Sequence, residues 1–534
     1  MLRQAGLVFV IIYLCISQAN GQNETIPGKI ITPYPTLINL GVEWFIQGDD
    51  NQNGLVKVKF REKGSRDWRE GMPLRRVLAG EKATGSAQFK WENKHAGSIF
   101  DLTPSTLYEI NLSLSDPDGG SSEKTVEVRT RPEPKITSGA EIIELPSGTY
   151  DTLFTKSGTE ERPVIYRCKD GGIAIYQFID LRNKKWVHIE GLFVNNIFDR
   201  GIGISMNGAE NCVVRRCTVT AVYGIVANNA PAVNCYVSDN VVTGVSQWCN
   251  QAMGVSGENI GEGIQMTGPG NVICYNRVTG FRDGISTMEE RRAVNQKCID
   301  IYNNDIYDCP DDGIESDFCF SNCRVFRNRL TNVYVGLSFQ PSLGGPNYFI
   351  RNVIYNGVHD PFKLKRGSVG DVVLHNTVVK IGTALGGNLS MDYAYFRNNL
   401  AIGGPNGDIN WGNFGAGRPF ATDIPEPGDH SSFDYDVVGV YGTKYIAMLG
   451  EKPFSEVEPH GVENITLEQT FNNVEFPNPP VPSRKPADLR LRPGARAIDA
   501  GLRIPNINDD YKGKAPDAGA YELGQMLPQY GPRN

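Results

Sequence analysis

Residues 300–337 read DIYNNDIYDCPDDGIESDFCFSNCRVFRNRLTNVYVGL. Asn304 stands two places before Ile306, and 24 residues later Asn328 stands two places before Leu330. Behind each asparagine comes a glycine followed by an aliphatic residue, Gly313-Ile314 and then Gly336-Leu337. The asparagine column extends in both directions through Asn240, Asn276, Asn352, Asn376 and Asn398, with successive gaps of 36, 28, 24, 24, 24 and 22. Cys217 and Gly191 continue it upstream, and Gly224-Ile225, Gly263-Ile264 and Gly284-Ile285 fill the glycine column. A repeat of this length, rich in β-branched residues and without a helical stretch, is a coil of short parallel strands. Asparagines stacked rung on rung would form an amide ladder. The longer gaps place insertions at residues 246–259 and 288–296. Cys212, Cys235, Cys298 and Cys323 open four rungs in one register and read as small apolar core residues, with disulfides between neighbouring rungs left open. No Cys-x-x-Cys pair supports a zinc or thioredoxin-like site.

Alternation along a strand then says which side chains face outward. Counting from the inward aliphatic, the first outward column is Gln265, Ser286, Glu315, Ser338 and Lys363. The second is Thr267, Met288, Asp317, Gln340 and Lys365. A carboxylate pair is thus followed by neutral groups and then by Lys363, Lys365 and Arg366. Two rungs separate Glu315 and Asp317 from the lysines by roughly 10 Å, the scale of one or two sugar units. Glu315 and Asp317 themselves lie roughly 6–7 Å apart by strand rise. Asp311 and Asp312 precede that strand, and Asp283 holds the matching place one rung earlier. Paired carboxyls are what glycosidases use as acid and as nucleophile or base, and crowding them raises at least one pKa. Trp248, in the first insertion, is placed to stack on a sugar face, and Glu289-Glu290-Arg291-Arg292 in the second could wall a cleft. His359-Asp360 is an outside candidate for acid–base work.

Ahead of the coil, residues 30–132 alternate in the manner of half-buried strands: Val56, Val58 and Phe60 face one way, Lys57 and Lys59 the other. Trp44 and Trp68 offer large core groups. Leu102-Thr103-Pro104-Ser105-Thr106-Leu107-Tyr108 has the form of a tyrosine corner, which ties a strand to its loop through the Tyr hydroxyl. Arg131-Pro132-Glu133-Pro134 reads as a short stiff linker. Residues 421–534 lose the period, are irregular, and are expected to pack along the coil and cap its end.

The chain has 53 basic and 60 acidic residues, a net charge of −7, and 40% hydrophobic residues. That excludes a disordered tail, and no basic excess marks a nucleic-acid binder. Residues 1–21 have the form of a secretory leader, with Arg3, an apolar core of 11 residues and a small-residue site at Ala19-Asn20-Gly21. A cut there leaves 513 of the 534 residues. No stretch reaches the length of a membrane span, so an exported monomer, extracellular or periplasmic, is expected.

The front segment resembles a fibronectin type III domain. Residues 135–420 resemble the right-handed parallel β-helix of polysaccharide-degrading enzymes, the pectin-lyase-like and polygalacturonase-like proteins. Gly148-Thr149-Tyr150 resembles their opening segment, and Ala497-Ile498-Asp499-Ala500-Gly501 with Asp517-Ala518-Gly519-Ala520-Tyr521-Glu522 their closing one. The resemblance implies an all-β chain, a β-sandwich followed by a β-helix. Set against the polygalacturonases, it implies Asp283, Asp311 and Asp312 as cleft carboxylates and Lys363-Leu364-Lys365 as their basic triplet. The family's Gly-His-Gly has no counterpart at Val335-Gly336-Leu337.

These readings support a glycoside hydrolase acting on an acidic polysaccharide without a cofactor, with Lys363, Lys365, Arg366 and Gln340 holding the chain. Two alternatives stand beside it. One is a lyase or epimerase in which Glu315 and Asp317 hold Ca²⁺ and a Lys or Arg removes a proton. The other is a non-catalytic glycan-binding or adhesion protein.

Overall fold

The computed structural model describes residues 22–84, 87–287, 296–386, 391–406, 418, 430–449, 452–481 and 483–533. The expected leader, the 288–295 part of the second insertion with Met288, and most of residues 407–429 lie outside the described residues.

Seven strands from Ile26–Ile31 to Ser122–Arg129 form an antiparallel unit at the front. On Leu55–Glu62, Val56, Val58 and Phe60 are buried, while Lys57 and Lys59 are exposed. Trp44 is fully buried. Trp68, expected in the core, is instead 37% exposed and carries the Arg61 guanidinium over its ring. The Tyr108 hydroxyl accepts from the Thr103 backbone N–H at 2.9 Å, closing the corner as the local sequence requires. A hairpin, Gly80–Thr84 with Ala87–Trp91, reaches outward, and its Phe89 packs against Phe318 and Leu343 of the coil.

The rest is a parallel β-helix. Its strands stack into a 12-stranded and an 18-stranded sheet, and the apolar faces of both enclose one continuous core. The parallel strands run on past residue 420, through Ser432–Asp434 and Val437–Val440 to Val462–Ile465. All five glycine–aliphatic marks fall in one register, Ile225↔Ile264↔Ile285↔Ile314↔Leu337. The amide ladder runs from Asn240 through Asn276, Asn304, Asn328, Asn352 and Asn376, each Nδ2 donating to the next Oδ1 at 2.9–3.0 Å. It then passes to Asn399 and ends on Asp436. Asn399, not Asn398, carries the last amide rung, and Leu192, not Gly191, shares the strand-opening place of Cys217. Since every rung donates in the same direction, the ladder finishes on an acceptor, here the Oδ1 of Asp436.

The cysteines are all free thiols among the described residues, eight of the ten buried. Cys212, Cys235 and Cys323 share one core column, but Cys298 is a residue out of step: Ile299 fills the core place, and Cys298 turns its thiol to the Pro33 carbonyl of the front unit. Among the described residues no helix is long and apolar enough to cross a membrane.

The front unit is docked, not tethered. Asp300 of the coil accepts from Thr36 and Asn39 at 2.6 and 2.8 Å and pairs with the fully buried Arg324. The linker is docked as well, Arg131 donating to the carbonyls of Asn234 and Gly270. The C-terminal segment lies along the coil, and Arg533 at its far end pairs with Asp239 and Glu133.

Candidate active site

The glycine–aliphatic pair makes the site. Glycine sits where each strand turns a corner with no room inside it: a Cβ on Gly284 would lie 2.7 Å from both the Gly313 carbonyl and Ile306. Because Gly and the aliphatic residue both face the core, the residues on either side of them both face out. Each rung therefore sends two side chains to the same outer surface. One column is the expected Gln265, Ser286, Glu315, Ser338 and Lys363. The other is Glu262, Asp283 and Asp312, in which Asp283 Oδ1 accepts from the Asp312 backbone N–H at 2.9 Å.

Six carboxyl groups meet there, with two cations among them. Lys363 Nζ pairs with Asp312 and stands 3.7 Å from Glu315 Oε1. Arg282 Nε lies 3.2 Å from Asp311 and 3.5 Å from Asp283. Ser286 Oγ donates to Glu262 at 2.6 Å. Asp317 is buried, its Oδ1 accepting from Ser338 Oγ and from the Gln340 backbone N–H at 2.5 and 2.8 Å. The Asp283 and Asp312 side chains are 6% and 1% exposed and that of Glu315 is 28% exposed, so among these three Glu315 is the one a solute can reach.

Burial and mutual repulsion set the protonation. Burial, then Asp317 and Asp312, push the Glu315 carboxyl well above the ordinary range. Asp283 is pushed up in the same way by burial and then Glu262. Burial raises Glu262 to about 7 and Asp311 and Asp317 to about 6. Burial opposes the charge on Lys363, but Asp312, Asp317 and Glu315 outweigh it and hold the ammonium well above its usual value.

One oxygen from each of Asp283, Asp312 and Glu315 lies within 4.8 Å of the others, an all-oxygen set of the kind a hard divalent cation takes. The Oδ1 of Asp312 has no hydrogen-bond partner. The Lys363 ammonium already stands against two of these three carboxyls.

Other expected residues fall elsewhere. Lys365 leaves the strip and pairs with Asp360 at 2.7 Å. Burial opposes ionisation of Asp360, yet His359 and Lys365 beside it bring it down to about 2. Arg366 is exposed, and its carbonyl accepts from Lys82 of the front hairpin. A row of three cations along the strip is therefore reduced to Lys363, because the chain turns at Arg366 with φ +57°. Trp248 is not an open platform: it is half-buried against a cluster containing Met253, Val353 and Tyr355. Its loop does flank the strip, with the Gly254 N–H donating to the Pro310 carbonyl. Glu289-Glu290-Arg291-Arg292 lies outside the described residues. Glu262 and Arg282 join the site without having been singled out; the residue before each glycine mark was the signal for Glu262.

No protein-family model matches the chain. No curated protein matches it either. Among solved structures it is similar to the Family 28 exopolygalacturonase of Yersinia enterocolitica, at 11% identity and a TM-score of 0.29, over 83% of this chain and 99% of that one. An overlay this loose carries no residue of that enzyme onto this chain.

Proposed function

We propose that the acidic strip hydrolyses glycosidic bonds in an acidic polysaccharide. The observation that carries the reading is Glu315: a carboxyl at the surface of the strip, kept protonated by its own partial burial and then by the buried carboxyls around it. A general acid must still hold its proton near neutral pH, and Glu315 meets that condition. The second carboxyl that hydrolysis needs is assigned to Asp312, which is buried against Lys363 and becomes available to water or to the anomeric carbon only when the substrate draws Lys363 away from it. Asp317 acts through Glu315, as the neighbouring charge that most raises it. Asp283, Asp311 and Glu262 add to that field, and Lys363 and Gln340 engage the acidic substituents of the substrate. The chain is read as exported, with a fibronectin III-like front domain and no cofactor.

A second reading rests on the carboxylate trio and the unpartnered Asp312 oxygen. There Asp283, Asp312 and Glu315 would hold Ca²⁺ against a uronate carboxyl, and Lys363, kept as an ammonium by Asp312, Asp317 and Glu315, would serve as the base of a lyase only once the cation had replaced it there. One experiment separates the two. Purified protein is incubated with a panel of acidic polysaccharides, with and without chelator, following reducing ends and absorbance near 235 nm. Hydrolysis gives reducing ends without absorbance, insensitive to chelator and lost in Glu315→Gln. Chelator-sensitive absorbance would overturn it in favour of the lyase, and neither signal on any substrate would favour a glycan-binding protein.

A further inference from the structure

A cleft of about 650 Å³ lies between the front unit and the coil, away from the acidic strip. Arg75 of the front strand Arg69–Val77 forms one side. Tyr395, on the 12-stranded sheet, forms the other, and residues 502–505 of the C-terminal segment close the third. The acidic strip is built on the other, 18-stranded sheet.

The charge arrangement is unusual. The Arg75 guanidinium lies 4.5 Å from the centre of the Tyr395 ring, and Arg397 lies 4.2 Å from the same ring. Arg397 is buried and donates to the carbonyls of Phe396 and Ser432 and to the Ser432 hydroxyl. Its Nε has no partner. The Arg75 guanidinium makes neither a hydrogen bond nor an ion pair among the described residues, whereas its neighbour Arg76 is paired with Asp49. Two guanidiniums thus share one aromatic ring, and neither forms an ion pair among the described residues. Burial lowers Arg75 from its ordinary value, and the positive charge of Arg397 adds to that.

An anion entering the cleft would relieve this repulsion, and a stacked guanidinium presents its planar fork to a carboxylate or sulfate. The lining suits a sugar ring, which has polar edges and apolar faces: it includes the polar Asn51 and Gln52 and the apolar Pro73, Leu502 and Pro505. The volume is within the range of small-molecule sites. We propose that this cleft is a second, non-catalytic binding site for a saccharide bearing a carboxylate or sulfate, held through Arg75. The saccharide part rests on the polysaccharide reading above; the anion part does not.

The test is calorimetric titration of the full chain carrying Glu315→Gln, so that nothing is turned over. The probes are an oligogalacturonate, a heparin-derived oligosaccharide, a neutral xylo-oligosaccharide and inorganic sulfate. The expected result is binding of at least one anionic oligosaccharide, weakened tenfold or more by Arg75→Met and less by Arg75→Lys, with melting temperature unchanged to show the fold is intact. The neutral probe should not compete. Anionic saccharides bound equally well with Arg75→Met would overturn the proposal, as would sulfate alone binding as tightly as the saccharides. The outcome is separable from the hydrolase reading. Arg75-dependent binding, with no cleavage of any substrate by the unsubstituted chain, would sink the hydrolase and leave the cleft. Cleavage without Arg75-dependent binding would do the reverse.

Discussion

Glu315 holds its proton because it is itself largely withdrawn from water and stands among carboxyls that water cannot screen. Asp317 and Asp312 are 4% and 1% exposed, so ionising Glu315 would add negative charge to a nearly dry surface with Lys363 as its nearest counter-charge. Two outcomes follow at this scale. Glu315→Gln cannot donate a proton and should lower kcat by about 10²–10⁴-fold, the usual worth of a positioned acid. A substrate with a very good leaving group, which needs no protonation, should be spared much of that loss; equal losses on both substrates would remove Glu315 from the acid role. Lys363→Met has a different signature. It takes away the main cation, the charge that lowers the pKa of Glu315, Asp317 and Asp311, so these carboxyls then hold their protons to higher pH. The limb of the rate profile that they set should therefore move up in pH, and an unmoved limb would show that Lys363 does not set the charge of the strip.

The corner at each glycine shows which parts of the coil were legible before the structure. The Gly–aliphatic column and the outward column from Gln265 to Lys363 follow from spacing and alternation, because an inward position cannot tolerate a polar group. Glu262 was missed because alternation was counted forward from the aliphatic residue, whereas the corner turns the residue before glycine outward too. Asn398 and Cys298 were misplaced for another reason. The pattern assumes that outward means polar, but Leu400 faces out beneath the C-terminal segment and Cys298 faces out beneath the front unit. Where another part of the chain covers a sheet, its two faces look alike in sequence. The ladder itself supports two predictions. Asn328→Ala removes the donor to Asn352 and to the Ile301 carbonyl and the acceptor for Asn304, leaving buried groups unpaired. It should cost about 2–4 kcal/mol in denaturant unfolding, given about 1–3 kcal/mol for each orphaned group. Asp436→Asn tests the terminal acceptor. Burial raises Asp436 to about 7 and also lifts its neighbour Glu458. A carboxyl whose pKa is raised by folding stabilises at low pH and loses that contribution as pH rises through the folded value. Unsubstituted protein should therefore lose stability relative to Asp436→Asn from about pH 4, where the unfolded carboxyl ionises, up to about pH 7, where the folded one does; a constant difference across that window would mean that Asp436 does not titrate there.

At the scale of the whole molecule, the front unit and the coil share buried charge that neither could hold alone. Asp300 takes two hydrogen bonds from the front unit through Thr36 and Asn39 and neutralises Arg324, which is fully buried and also donates to Ser98. Beside it, Glu43 of the front unit accepts from Ser321 of the coil and pairs with Lys94. The C-terminal segment adds a third tie, Asn506 exchanging hydrogen bonds with the backbone of Phe100 at 2.8 and 2.9 Å. Separating the front unit would return water to Asp300 and Arg324 but break the bonds that cross to it, from Thr36, Asn39, Ser98, Glu43 and Phe100. The chain should therefore unfold in a single calorimetric transition instead of domain by domain, and the cleft at Arg75 keeps its shape only because this interface is rigid. Asp300→Ala is the decisive change. It leaves the Arg324 charge buried without its partner, which costs about 3–5 kcal/mol, and it removes the acceptor for Thr36 and Asn39 at the same time. The expected result is a lower melting temperature, with the front unit now melting ahead of the coil as a separate shoulder. Two resolved transitions already present in the unsubstituted protein would show that the interface does not couple the units, and with it would go the reason for a fixed cleft between them.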